Sequence, residues 1–192
     1  MIEIERLSPE AYVRQPWKNG RGALVGIDNE GSGSWQDTGV AWHFGRTSIV
    51  EEGPFSDYSG YERLQVVIKG RGLVLVAADH EIDLRTPLTV KRYDGGLPVR
   101  TRLEHGPVEV VNLIALRTRH DIALHVARAG DTETCTTGRH VVYAPDGTAR
   151  VRIAGAAYEL ATDHALRIRA DATTAVRVEV GTLLIASITA KA

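Results

Sequence analysis

Gly147-Thr148-Ala149-Arg150-Val151-Arg152-Ile153 opens a run in which apolar and charged residues alternate. Leu166-Arg167-Ile168-Arg169 and Val176-Arg177-Val178-Glu179-Val180 repeat the alternation. A period of two puts one face of a strand in a core and the other in water, which is how antiparallel sheets read. Working outward, Val108–Leu116 reads as a long strand buried on both faces, and Ile122–Val126 as another. Glu62–Ile68 and Leu73–Val76 flank Lys69-Gly70-Arg71-Gly72, two apolar runs around a glycine turn, which predicts a hairpin. Helix is confined to one turn near Ser8-Pro9-Glu10-Ala11-Tyr12, with Ser8 as cap and Pro9 at the first helical position. The whole predicts an all-β chain closed as a sandwich or barrel.

The alternating stretch also has an earlier counterpart. Leu75 matches Val151, Asp83 matches Glu159, Leu84 matches Leu160 and Thr86 matches Thr162, all at an offset of 76 (Leu75 to Val151). Gly72–Val90 and Gly147–Ile168 therefore share a plan, and a duplication is the reading. The chain has 192 residues, against about 150 for an average domain, so it has room for two small fused repeats. A chain of this size buries roughly 70% of its unfolded surface, enough for a core without disulfides or a structural metal.

Composition excludes several functions. Lys and Arg number 23 against 24 Asp and Glu, a formal charge of −1, so neither nucleic acid nor an acidic membrane is an expected partner. The single cysteine, Cys135, cannot form an internal disulfide or hold a zinc alone. It lies in Thr134-Cys135-Thr136-Thr137, which reads as a polar loop, where a nucleophile would pair with His140. Met1-Ile2-Glu3-Ile4-Glu5 has no basic start or apolar segment of a signal peptide, and Leu183–Ile188 is too short to cross a bilayer. A soluble, cytoplasmic protein is the expectation. The near-zero charge does not oppose a homodimer.

Gly147–Ile188, with Tyr158-Glu159-Leu160 and Asp163 ahead of Leu166-Arg167-Ile168, resembles half of a cupin, a small jelly-roll barrel. Two such units make a bicupin, two fused jelly-roll β-barrels. The division is placed at Thr118-Arg119: residues 1–118 form the N-terminal barrel, and residues 119–192 a smaller C-terminal one packed on it.

Three polar stretches of the first half are too specific for turn filler: Pro16-Trp17-Lys18-Asn19-Gly20-Arg21-Gly22; Trp42–Ile49 with Gly53-Pro54-Phe55-Ser56 and Gly60-Tyr61-Glu62-Arg63; and Tyr93–Val99 with Asn112 beyond it. Along Trp42–Ile49, His43, Gly45, Thr47 and Ile49 share one face, and Trp42, Phe44, Arg46 and Ser48 the other. In order and spacing these stretches resemble the HutD/Ves family over about Glu3–Arg119. Trp17-Lys18-Asn19-Gly20, Gly53-Pro54-Phe55-Ser56, Gly60 with Arg63, and Asn112 carry the resemblance. The chain departs from the family pattern where His43 replaces an arginine, Gly45 a serine, Gly96 an aspartate and Val110 an aspartate.

The resemblance implies a bicupin tied to histidine utilisation that binds a small carboxylate metabolite, in a sensing or regulatory role. The residues agree in kind. Lys18, Arg46 and Arg63 supply positive charge, Asn19, Ser48, Ser56 and Asn112 supply neutral hydrogen bonds, and Trp17, Trp42 and Phe55 supply apolar walls. No catalytic residue, metal or cofactor is assigned. The rival is a metal-dependent cupin enzyme, an isomerase or oxygenase on a small acid. It would need histidines from distant strands, because no two of the seven stand at i and i+2.

Overall fold

The structure, a computed structural model, describes residues 1–16, 23–32 and 38–191. β1 (Ile2–Leu7) opens the chain, and a 3₁₀ turn at Pro9–Ala11 follows. Pro9 starts that turn as expected, but the Ser8 side chain makes no capping bond. Then come β2 (Val13–Pro16), β3 (Ala23–Gly31), β4 (Val40–Ile49), β5 (Tyr61–Lys69) and β6 (Leu73–Val76). β7 (Glu81–Leu84), β8 (Lys91–Asp94), β9 (Arg100–Leu103) and β10 (Val108–Leu116) complete the first half. The second half holds β11 (His120–Arg128), β12 (Thr132–Cys135), β13 (Gly138–Tyr143) and β14 (Ala149–Ile153). It ends with β15 (Ala156–Leu160), β16 (Ala165–Ala170), β17 (Thr174–Val180) and β18 (Thr182–Ala190). Among the described residues no helix is long and apolar enough to cross a membrane.

The chain divides into two compact units, Val13–Arg119 and Met1–Tyr12 with His120–Ala192. The first twelve residues thus belong with the C-terminal half rather than with residues 13–118. β1 pairs antiparallel with β16, Ile4 opposite Ile168, and Ile2 and Ile4 pack on the C-terminal core.

Each unit is built from two sheets. In the N-terminal unit they run β2-β3-β4-β10-β5-β8 and β7-β6-β9; in the C-terminal unit, β1-β16-β13-β18-β11 and β12-β17-β14-β15. The order β4-β10-β5-β8 recurs as β11-β18-β13-β16, and β7-β6-β9 as β15-β14-β17. The hairpins carry the repeat in register: Leu75 faces Ile82 as Val151 faces Tyr158, and Leu73 faces Leu84 as Ala149 faces Leu160. The alternation seen in sequence is the burial pattern. In β14 Val151 and Ile153 are buried while Arg150 and Arg152 are exposed. Val151, Val178 and Leu160 of one sheet meet Val142, Ile168 and Ile185 of the other in a single apolar core.

The expected hairpin across Gly70-Arg71-Gly72 does not form. β5 pairs with β10 and β8, whereas β6 pairs with β7 and β9 in the other sheet. The glycines carry the chain between sheets instead of reversing it. Both have positive φ (78° and 83°), and a Cβ on Gly70 would lie 2.6 Å from the Pro107 carbonyl oxygen. Val108–Leu116 is a strand over its whole predicted length, buried on both faces but for Glu109.

Candidate functional site

β10 lies between β4 and β5, and its register sets two rows of side chains on one face of the sheet. One row is His43, Ile114, Arg63 and Tyr93; the next is Gly45, Asn112, Gln65 and Lys91. The segment between β4 and β5 crosses this face, pinned by hydrogen bonds from Phe55 N to Val99 O (3.0 Å) and from Tyr58 N to Gly95 O (3.0 Å). Between segment and sheet is a cavity of about 20 Å³. Arg63, Gln65, Asn112, His43, Phe55 and Tyr58 are among its lining residues.

Arg63 is the centre of the site, a guanidinium only 6% exposed. Its Nε and Nη2 donate to Asn112 Oδ1 at 3.0 and 2.9 Å. That engages the side edge of the fork and leaves N–H groups on Nη1 and Nη2 for another acceptor. Three rings surround its Cζ, with centroids at 4.6 Å (Phe55), 5.5 Å (Tyr93) and 5.7 Å (Tyr58). Such contacts favour a cation but do not neutralise it. No carboxylate among the described residues pairs with Arg63, although a buried charge is costly without a partner.

The neighbours are neutral donors and acceptors. Asn112 Nδ2 reaches Thr47 Oγ1 at 3.4 Å, and Tyr93 Oη donates to Gln65 Oε1 at 2.7 Å. Burial pushes the Tyr93 hydroxyl up to about 12, against the opposing pull of Arg63, so it stays protonated. His43 is half-buried. Burial, and then the Arg63 charge, hold its imidazole near 4, so the ring is neutral at pH 7. That ring lies over two glycines: a Cβ on Gly45 would fall 2.5 Å from its Nε2, and one on Gly26 3.2 Å from its Cε1. His43 and Gly45, two of the departures seen in sequence, thus fit each other sterically.

Of the residues proposed from sequence, the structure brings Phe55, Ser56, Arg63 and Asn112 to this cavity. Trp42, Arg46 and Ser48 do not line it. They have the opposite strand parity to His43, Thr47 and Ile49, and Arg46 pairs with Glu109 at 3.5 Å. Trp17, Lys18 and Asn19 lie outside the described residues. Sequence reasoning did not select His43, Thr47, Tyr58 or Gln65. The parity of β4 identifies the first two, and a glutamine between Leu64 and Val66 in an apolar strand carries the same signal as Asn112.

Cys135 is not in a polar loop. It ends β12 inside the C-terminal core, and burial, then Glu133, push its thiol up to about 11. His140 is occupied elsewhere, with Nδ1 2.8 Å from Ser187 Oγ and Nε2 2.8 Å from Thr136 O. A larger cavity of about 230 Å³ lies in the C-terminal unit, but its charged groups have partners: Glu133 meets His125 at 3.0 Å, and Asp121 meets Lys191 at 3.3 Å. The smaller cavity holds the buried charge, so it is the candidate site.

A family model described as HutD matches residues 9–185. The chain belongs to the HutD family. HutD from Pseudomonas fluorescens SBW25, solved in a formate condition, matches with a TM-score of 0.84 at 27% identity, covering 99% of this chain and 100% of that one. A conserved protein of unknown function from Pseudomonas aeruginosa PAO1 matches at a TM-score of 0.87 and 22% identity, over 99% and 100% of the two chains. An uncharacterised 21.2 kDa protein from the hutC 3′ region of Pseudomonas putida is 31% identical over 120 residues. That match spans 62% of this chain and 62% of the relative's length. Ylba and YhhW of Escherichia coli, at 10% and 8% identity, share the fold, an all-β cupin fold. A cupin metal centre does not fit the described residues of this HutD-family chain. No three His, Cys, Asp or Glu side chains among them come together to hold an ion, and His43 alone of those types lines the N-terminal cavity.

Proposed function

We propose that this HutD-family protein binds a small carboxylate metabolite at Arg63, an intermediate of histidine degradation, in a sensing or regulatory role. The observation that carries the reading is the buried Arg63 guanidinium with no carboxylate partner among the described residues. A ligand carboxylate would supply the missing countercharge and accept from the Nη1–Nη2 edge, the geometry in which arginine binds carboxylates most strongly. Asn112 fixes the guanidinium from the side and the rings fix it from its faces, so little ordering is left for binding to do. The link to histidine breakdown rests on the family and on the hutC neighbourhood of the P. putida relative.

Calorimetric titration tests the reading, with formate, acetate and the carboxylate intermediates of histidine breakdown set against the matching amides. The carboxylates should bind and the amides should not. Arg63→Met keeps the apolar stem and removes the charge. Loss of one partner of a buried charge pair typically costs about 2–5 kcal/mol, so affinity should fall by about 30-fold or more. Equal affinity in wild type and a folded Arg63→Met protein would sink the assignment.

A further inference from the structure

We propose that Gln65, aimed by Tyr93, is the second donor to the bound carboxylate, and that the site therefore selects a planar, unbranched carboxyl group. The proposal rests on the reading that Arg63 binds a carboxylate. Gln65 stands two residues beyond Arg63 on the same face of β5, is fully buried, and lines the same cavity. Its amide is committed at one end only. Oε1 accepts from the Tyr93 hydroxyl, while Nε2 is buried without a hydrogen-bond partner among the described residues.

A buried primary amide donor left unpaired is rare in folded proteins, and each such case calls for an explanation. Tyr93 supplies one. Because its hydroxyl stays protonated and donates to Oε1, the amide is oriented with its nitrogen away from Tyr93. Arg63 and Gln65 line one small cavity, and each keeps a donor with no partner among the described residues: the Nη1–Nη2 edge of the Arg63 fork and the Gln65 Nε2–H. What satisfies both is an anion with two oxygens in one plane, each taking one of them. Size agrees. About 20 Å³ is little more than one water requires. So narrow a space favours the flat head of a carboxylate over a tetrahedral phosphate or a branched α-carbon. Tyr93 acts through Gln65 and is a positioning residue.

The test is calorimetry with formate, acetate, pivalate and inorganic phosphate on wild type, Gln65→Leu, Gln65→Glu, Tyr93→Phe, the Gln65→Leu/Tyr93→Phe double variant and Arg63→Met. The side-chain amide signal of Gln65 is followed by ¹H–¹⁵N NMR during the formate titration, and thermal melts check folding. Losing a hydrogen bond to a charged group should weaken formate binding by about tenfold to a hundredfold in Gln65→Leu. Gln65→Glu keeps the shape and the acceptor for Tyr93 but places a carboxylate beside Arg63, so it should fold and lose formate binding. Tyr93→Phe should weaken binding severalfold in the wild-type background and have no further effect once residue 65 is leucine. A merely structural role would not produce that non-additivity. Phosphate and pivalate should bind at least about tenfold more weakly than formate.

Gln65→Leu binding formate as wild type does, or a Gln65 amide signal that does not move, overturns the proposal. The two readings fail separately. Loss of binding in Arg63→Met with full binding in Gln65→Leu defeats only the Gln65 assignment. Absence of carboxylate binding in wild type defeats the Arg63 reading and this one with it.

Discussion

Acidification from pH 7 to pH 4 should cost the N-terminal unit up to about 3 kcal/mol through His43 alone. The imidazole lies across Gly45 and Gly26 with its Nε2 enclosed, and the Arg63 charge shares its face of the sheet. Burial and that charge lower its pKa from 6.5 to about 4. The unfolded chain therefore takes up a proton near 6.5, and the folded chain does not until about 4. Between those values the unfolded state binds more protons, so stability falls as the pH falls. The slope is at most about 1.4 kcal/mol per pH unit, and the loss is complete near the folded pKa. Exposed carboxylates such as Glu81 and Glu179, held low by Arg102 and Arg152, also lose stabilisation in acid, and His140 adds to it in the C-terminal unit. Those contributions are common to a His43→Gln variant and cancel in the difference. Urea unfolding at pH 7, 6, 5 and 4 should show wild type losing stability relative to His43→Gln. NMR titration of the His43 ring should give its pKa directly. Parallel curves for the two proteins, or a His43 pKa at or above 6, would refute the account of the pocket as a neutral imidazole beside a buried guanidinium.

Gly45→Ala should destabilise the fold by about 1–3 kcal/mol, the usual cost of overpacking. Its Cβ would meet His43 Nε2 at 2.5 Å and the Val25 carbonyl oxygen at 2.6 Å. Adding His43→Ala removes only the first obstacle, so urea unfolding of the double variant should show incomplete recovery. Cys135 should resist a thiol-reactive disulfide reagent at pH 8 in the folded protein and react fully in urea, since its thiol is buried and raised to about 11. Rapid labelling under native conditions would show that β12 opens readily.

Where local pattern and tertiary partner agree, the fold was legible. β10 was readable to the residue because Val108–Leu116 is apolar at both parities, and only a strand covered on both faces tolerates that. The β6–β7 and β14–β15 hairpins were readable from the shared offset, which survives as identical pairing. The Gly70-Arg71-Gly72 link was not. Left-handed glycines serve a reversal and a crossover equally well, and the choice lies with the distant partners β10 and β9. The same limit governs the site. Asn112 stood out as a polar residue in an apolar strand, a signal Gln65 carried too, and Arg63 stood out by its charge and its place in the family motif. Arg46 was drawn in by its charge, although its parity set it opposite His43 and Thr47. Nothing local indicates that Phe55 and Tyr58 stack on Arg63, since that contact depends on backbone bonds to Val99 and Gly95.

The duplication itself argues for where function resides. Both units use the strand order 4-10-5-8 or its counterpart 11-18-13-16, so their backbones impose similar interiors. Their contents differ. Of the buried polar residues among those described, Asp28, Thr47, Arg63, Gln65, Thr101 and Asn112 lie in the N-terminal unit, and His140 alone in the C-terminal one. The strands corresponding to β5 and β10 are β13 and β18, and they present Val142 and Ile185 to a continuous apolar core. The same framework therefore carries aliphatic side chains at those positions in one unit and a guanidinium and two amides in the other. Replacing buried polar groups by well-packed apolar ones is often neutral or stabilising. A barrel that retains a buried cation with no carboxylate partner among its described residues gives up packing that its sibling uses, and under the proposed function a bound anion would supply the missing countercharge.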